Sequence, residues 1–186
     1  MPRIAPLPFA AALALFVTLP LAAQAQQWPF GYGAGVSLES ARKVAAGAAA
    51  EARKNGWKMA IAIVDPGGVL VYYEKLDDTQ NGSAATAVDK ARSAALYRRP
   101  TKSFEDAVKG GNLQLMMLPG AMAVEGALPL VVDGKIVGAV GVSGASSAQD
   151  GQCAKAGHEA LAPVPTPAAP APAPSPAPAA APSPKK

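Results

Sequence analysis

The chain contains one histidine, His158, and one cysteine, Cys153, in 186 residues. A single imidazole offers no second base to a serine or cysteine triad of the usual kind, and it cannot build a histidine-rich zinc site. A single thiol excludes an internal disulfide framework. The formal net charge is only +4, and Arg3, Lys185 and Lys186 at the two ends carry part of it. Nucleic acid requires a clustered basic face and a recognisable binding motif, and no such motif is visible. A bilayer span needs about 20 consecutive apolar residues, and the run from Leu7 to Ala22 is interrupted by Pro8 and Pro20. No Walker loop, Rossmann fingerprint or internal repeat occurs. Gly138, Gly141 and Gly144 imitate glycine-rich spacing, but Gly138 and Gly141 fall inside an expected strand rather than in a strand-to-helix turn. There is no Glu-x-x-Glu pair of the sort that supports a dedicated iron site.

The ends are set apart by composition. Arg3, the short apolar stretch and Ala23-Gln-Ala25, with small residues at −3 and −1, predict a cleaved secretory signal over 1–25 and a mature start at Gln26. Export to a periplasmic or extracellular compartment follows, with no membrane span after signal removal. Residues 26–37 form a short lead. Residues 163–186 are almost entirely Ala and Pro, a composition that buries little and favours polyproline II, so a disordered tail or spacer is expected. One domain remains over 38–162, enough for a compact core.

Within that domain, Ser37 precedes a helical recurrence of Leu38, Ala41, Val44, Ala45, Ala48, Ala49 and Ala52, and Asn55-Gly56 stops it. Met59 to Val64 alternates Met59, Ile61 and Ile63 with Ala60, Ala62 and Val64, a strand covered on both faces. Asp65-Pro-Gly-Gly68 predicts a type II turn into a returning strand over Val69 to Leu76. An alanine-rich helix over Ala84 to Tyr97 is capped by Ser83. Pro100 blocks its continuation, and Thr101 or Ser103 starts a short helix closed by Gly110-Gly111. Leu113 to Leu118 is open between helical turn and edge segment, and a short strand is expected near Met122 to Glu125. Leu128 to Val132, the positive-φ dipeptide Asp133-Gly134 and Lys135 to Val142 make a hairpin. Ser147-Ala-Gln-Asp150 then fits a capped helix start. With every strand pair joined by a hairpin, an α+β fold with an antiparallel sheet is expected.

This last block, with its Ser-Gly-Ala step into a small-residue helix, resembles the GlcG/HbpS-like family of exported heme-binding proteins. Asn55-Gly-Trp57 before MAIAIVDPGGVLVYYEKLD matches the same pattern in type and order. So does the path from Lys90-Ala-Arg92 through Tyr97-Arg-Arg-Pro-Thr101 to Glu105-Asp-Ala-Val-Lys-Gly-Gly111. The resemblance covers roughly Leu38 to Leu161. It implies a profilin-like fold whose five-stranded sheet carries flanking helices, heme as the cofactor, and a homo-oligomer. The implied function is storage, sensing or oxidative degradation of heme. Degradation would use bound heme as its own reactive centre, so few catalytic side chains are needed and none is assigned. A sensory or accessory module binding a small carboxylate such as glycolate, without heme, is the alternative.

The candidate ligand residues are Tyr97, Arg98, Arg99, Thr101, Lys102 and His158. Arg92, Arg98, Arg99 and Lys102 concentrate positive charge at a helix end and at the next helix start, where arginine forks and freed N–H groups suit heme propionates or a small acid. The same charges also suit a solvated face paired with Asp89, Glu105 and Asp106. His158 reads either as a solvent-facing helix histidine or as an axial iron ligand through neutral imidazole. Tyr97, Met116 and Met117 offer aromatic or soft contact to a porphyrin, although methionines in an apolar run also serve a core. Glu125, beside a strand end, is a candidate acid or iron ligand, and Asp77-Asp78 reads as solvated. Cys153 reads as a small buried side chain or as a thiol pairing between subunits.

Overall fold

A computed structural model of the chain describes residues 30–161. The expected signal over 1–25, most of the short lead and the Ala/Pro tail lie outside the described residues. The elements run β1 (Gly31–Tyr32), α1 (Leu38–Lys54), β2 (Ala60–Val64), β3 (Leu70–Lys75), α2 (Gly82–Tyr97), α3 (Thr101–Lys109), a 3₁₀ turn (Leu113–Met117), β4 (Ala127–Val132), β5 (Lys135–Ser143) and α4 (Ser147–Glu159).

The five-stranded sheet is organised around β5. Both β2 and β4 pair with it antiparallel, β3 pairs antiparallel with β2, and β1 runs parallel to the start of β5 through Gly31 opposite Lys135 and Tyr32 opposite Ile136. The sheet is therefore mixed, and the expectation of a purely antiparallel sheet is corrected. The fifth strand is β1 rather than the segment near Met122 to Glu125, which forms no strand. There the Glu125 N–H donates to the Glu105 carboxylate instead of to a ladder.

Local signals are met in most places. Ser37 caps α1 by accepting from the Ser40 N–H at 3.1 Å, and Gly56 follows its end at φ 70°. The β4–β5 turn has φ 50° at Asp133 and 68° at Gly134, the signature of a type I′ hairpin. The β2–β3 turn differs from expectation. Its positive φ falls on Gly68 at 80°, not on Gly67, while Gly68 N donates to Asp65 O at 3.0 Å. That is a type I turn followed by a left-handed residue, with the pairing shift between Ile63 and Val64 taking up the extra residue. At α4 the cap is Ser146, one residue earlier than expected, in a reciprocal box with Gln149.

Helices cover both faces of the sheet. Met59, Ile61, Ile63, Leu130, Val140 and Val142 meet Val44 and the alanines of α1, together with Cys153 and Ala154 of α4. On the opposite face Ala60, Ala62, Val64 and Ala139 meet Ala87, Ala91, Ala94 and Ala95 of α2. The two helices of the first face touch through glycines. A Cβ at Gly157 would lie 2.8 Å from the Val44 carbonyl oxygen, and one at Gly47 would lie 2.9 Å from that of Ala156.

Candidate functional site

Three segments converge beside the N-terminal half of α4: the start of α3, the stretch Glu125–Leu128, and α4 itself. They enclose a cleft of about 360 Å³ bounded by Pro100, Lys102, Ser103 and Asp106, by Glu125, Gly126, Ala127 and Leu128, and by Gly151 and Lys155. Its wall is fixed by polar side chains from three helices. Buried Thr101 accepts the Ala127 N–H at 3.1 Å, and Glu105 accepts that of Glu125. Behind Gly126, the Lys90 ammonium donates to Asp150 at 2.7 Å and to the Val142 carbonyl at 3.2 Å. Asp150 also accepts the Ala145 N–H at 3.1 Å.

Glycine is required in this wall at Gly126, and at Gly151 its missing side chain leaves room for Glu125. Gly126 has φ 139°, and a Cβ there would lie 2.7 Å from Lys90 Nζ and 2.9 Å from Asp150 Cβ. A Cβ at Gly151 would lie 2.8 Å from Glu125 Cγ, so Glu125 reaches the cleft by lying across the backbone of α4.

The electrostatics of the cleft are uneven. Lys102 is held by both oxygens of Asp106, at 2.7 and 2.8 Å, and that bond raises its pKa. Glu105 is held below the ordinary carboxylate range by Lys109. Glu125 moves the other way: burial raises it against the pull of Lys102, and the nearby Glu105 and Asp106 charges add to the effect of burial while Lys109 opposes it. Burial likewise pushes Asp150 up against the pull of Lys90 and two backbone amides. A second and larger cavity of about 440 Å³ surrounds Trp57. Its charged rim is paired, as the lysines of the first cleft are, with Arg53 on Glu74 at 2.9 Å, Lys58 on Asp78 at 3.6 Å and Lys75 on Asn81 at 2.7 Å. The first cleft, walled by buried polar bonds, is the better ligand candidate.

Of the residues expected from sequence, Lys102 and Glu125 line this cleft and Thr101 supports its wall. Arg98 turns away, with its guanidinium 5.7 Å over the Tyr32 ring and a 3.4 Å bond to the Phe30 carbonyl. Arg99 stacks at 5.4 Å over Phe104 and donates to the Tyr97 carbonyl. Tyr97 packs edge-on against Phe104 and donates to the Pro119 carbonyl at 2.6 Å. His158 lies one helical turn beyond Lys155, with Nδ1 3.0 Å from the Pro129 carbonyl. Met116 and Met117 are 64% and 83% exposed, away from both the core and the cleft. Cys153 is buried, and that burial pushes its thiol up to about 12, where it is neither nucleophile nor ready ligand.

The residues that sequence reasoning missed are Lys90, Gly126, Asp150 and Lys155. One signal was available for Lys90, which falls within the Ala87, Ala91, Ala94 stripe of α2. A lysine on an apolar stripe is buried and paired.

GlcG of Escherichia coli K12 is 43% identical to the chain over 108 residues, spanning 58% of this chain and 81% of that protein. The crystal structure of Streptomyces reticuli HbpS, in a variant with two glutamates changed to aspartate, superposes with a TM-score of 0.65. It is 28% identical, covering 87% of this chain and 99% of that one. A structure of PduOC in complex with heme has a TM-score of 0.62 at 24% identity, covering 68% and 94%, and shows likeness of fold. Residues 36–159 match the model of the family described as haem degrading protein HbpS-like. The chain is a member of the HbpS-like family.

Proposed function

We propose that this protein is an exported heme-binding or heme-handling protein, built on a profilin-like scaffold, whose ligand occupies the cleft between α3, Gly126 and α4. The observation that carries this reading is the cleft itself, with small and apolar walls at Pro100, Ala127 and Leu128 and ammonium groups at Lys102 and Lys155. Its volume lies at the low end of the range for small-molecule sites, so a heme there would extend beyond the cleft. The two ammonium groups, held here by Asp106 and Glu159, suit propionates that take the place of those acids. His158, one turn beyond Lys155 and outside the lining of the cleft, would be the residue to hold the iron, because the Pro129 carbonyl can only accept a hydrogen bond. That places the proton on Nδ1 and the lone pair on Nε2. Bound heme would supply the redox centre for storage, sensing or degradation. Arg98, Arg99, Tyr97 and Thr101 hold the corner in place. A homo-oligomer is part of the proposal.

A small-carboxylate module without heme is the second reading, favoured by the modest 360 Å³ of the cleft. Hemin titration of the mature protein, expected to start at Gln26 by intact mass, tests the first reading through a shifted Soret band. Replacing Lys102 and Lys155 together with alanine should weaken hemin binding about tenfold or more, whereas His158→Ala should change the spectrum. Absence of hemin binding by the unmodified protein would leave the small-acid reading in its place.

A further inference from the structure

Glu125 stands apart from the other charged groups of the cleft. Lys102 is paired with Asp106, Lys109 with Glu105, and Lys155 with Glu159 at 3.8 Å. Behind Gly126, Lys90 is paired with Asp150. Among the described residues, Glu125 forms no ion pair. Its carboxylate lies across Gly151, within a wall whose N–H groups at Glu125 and Ala127 are already taken by Glu105 and Thr101. The charges facing it are Lys102, Glu105, Asp106 and Lys109 from α3, Lys155 from α4, and the Asp150–Lys90 pair across α4 and α2. The cations among these are each held by an acid.

An anion entering such a cleft meets a carboxylate with no ion-pair partner of its own, only the more distant pull of Lys102 and Lys109. Two carboxylates in contact share one proton, because the protonated partner donates a short hydrogen bond that the ionised pair cannot form. We infer that Glu125 is a ligand-recognition residue of this cleft, donating from its protonated carboxyl to a carboxylate oxygen of the ligand, so that ligand and proton bind together. The proton comes from solvent and no other bond changes. The inference rests on the cleft being the ligand site, and the carboxylate belongs either to a heme propionate or to a free organic acid. The raised pKa of Glu125 acts in the same direction, since less free energy is needed to protonate it. Affinity is greatest at low pH and falls as Glu125 ionises, by up to about tenfold per pH unit.

The test titrates hemin, hemin dimethyl ester and propionate into the full mature chain between about pH 5 and pH 8. The unmodified protein is compared with Glu125→Gln, which keeps a donor without titrating, and Glu125→Ala, which has none. The expected result is that affinity for the free acids falls by about tenfold or more across this range in the unmodified protein. Glu125→Gln should hold nearly constant affinity, and Glu125→Ala should bind weakly throughout. Binding of hemin but not of its dimethyl ester identifies the propionate as the source. Proton-linked binding of propionate without hemin supports the inference while removing the heme reading. The inference is overturned if Glu125→Gln follows the pH curve of the unmodified protein, if the dimethyl ester binds as tightly as hemin, or if no carboxylate binds at any pH.

Discussion

The two faces of the sheet are built from different materials. Under α1 and α4 lie Met59, Ile61, Ile63, Leu130, Val140 and Val142, whereas under α2 lie Ala60, Ala62, Val64 and Ala139 against further alanines. The first face is stabilised by area removed from water, roughly 25 cal/mol per Å², so its energetics are graded with side-chain size. The second buries less area per residue and instead permits close approach. A Cβ at Gly141 would lie 2.5 Å from the Ala91 backbone nitrogen and 2.9 Å from its Cβ, and nearer still to the Ala87 carbonyl. Stability on this face depends on the absence of atoms, and its tolerance is close to all-or-none. The room left by the alanines also admits the stem of Lys90, whose ammonium helps hold the cleft wall.

The largest expected effect comes from breaking the close face. Gly141→Val should abolish cooperative folding or cost more than about 4 kcal/mol, since backbone rather than a flexible side chain blocks the new atoms. Urea denaturation followed by circular dichroism measures this. A cost below about 1 kcal/mol would mean that α2 can retreat and that the contrast between the faces is unfounded.

Next in size is the charged pair that ties α2 on that face to α4 on the other. Lys90 and Asp150 are 1% and 2% exposed. Removing one partner leaves a buried, uncompensated charge, so Lys90→Met alone should cost about 3–5 kcal/mol. Combining it with Asp150→Leu should recover much of the loss, because the lone acid is then gone. A double variant as unstable as the single would show that the 2.7 Å contact contributes more than the burial of two charges costs.

A graded response belongs to the opposite face. Ile63→Val removes one methylene from a fully buried position and should cost about 0.5–1.5 kcal/mol. A cost rivalling that of Gly141→Val would erase the distinction.

The contrast itself was legible in the sequence, because β2 alternates Met59, Ile61 and Ile63 with Ala60, Ala62 and Val64. The β4–β5 hairpin was legible from Asp133-Gly134, where both residues must adopt positive φ. What escaped were features set by distant partners. β1 is two residues long, with no period to detect, and exists because the start of β5 extends beyond the end of β2. The stretch Met122–Glu125 looks like a strand, yet Glu105 and Thr101 capture the backbone donors of Glu125 and Ala127. In the site, the Arg98-Arg-Pro-Thr101 corner was visible as charge, but its two arginines settle over Tyr32 and Phe104. Which cations face a ligand depends on rotamers and aromatic neighbours that a linear sequence does not display.

The smallest effect expected is a pH dependence, and its sign distinguishes Glu105 from the acids around it. Lys109 holds the Glu105 carboxyl below its ordinary value, with further help from the Glu125 N–H and Ser147. A carboxyl depressed in the folded state contributes stability that is complete above its unfolded pKa, about 4.5, and is lost as pH falls through the lower folded value. Glu125 and Asp150 are raised by burial, so protonating them on acidification favours the folded state and opposes the loss at Glu105. The acid slope of the whole protein therefore mixes opposing contributions, with Glu39 and Glu51 also held low by their partners. The difference between the unmodified chain and Glu105→Gln isolates one group. That difference should be constant near neutral pH and shrink as the solution is taken below pH 4.5, because the protonated glutamate then resembles glutamine. Thermal melts at closely spaced pH values record it. A difference that stays constant to low pH would place the stabilising role of Glu105 in its hydrogen bonds and shape rather than in its charge.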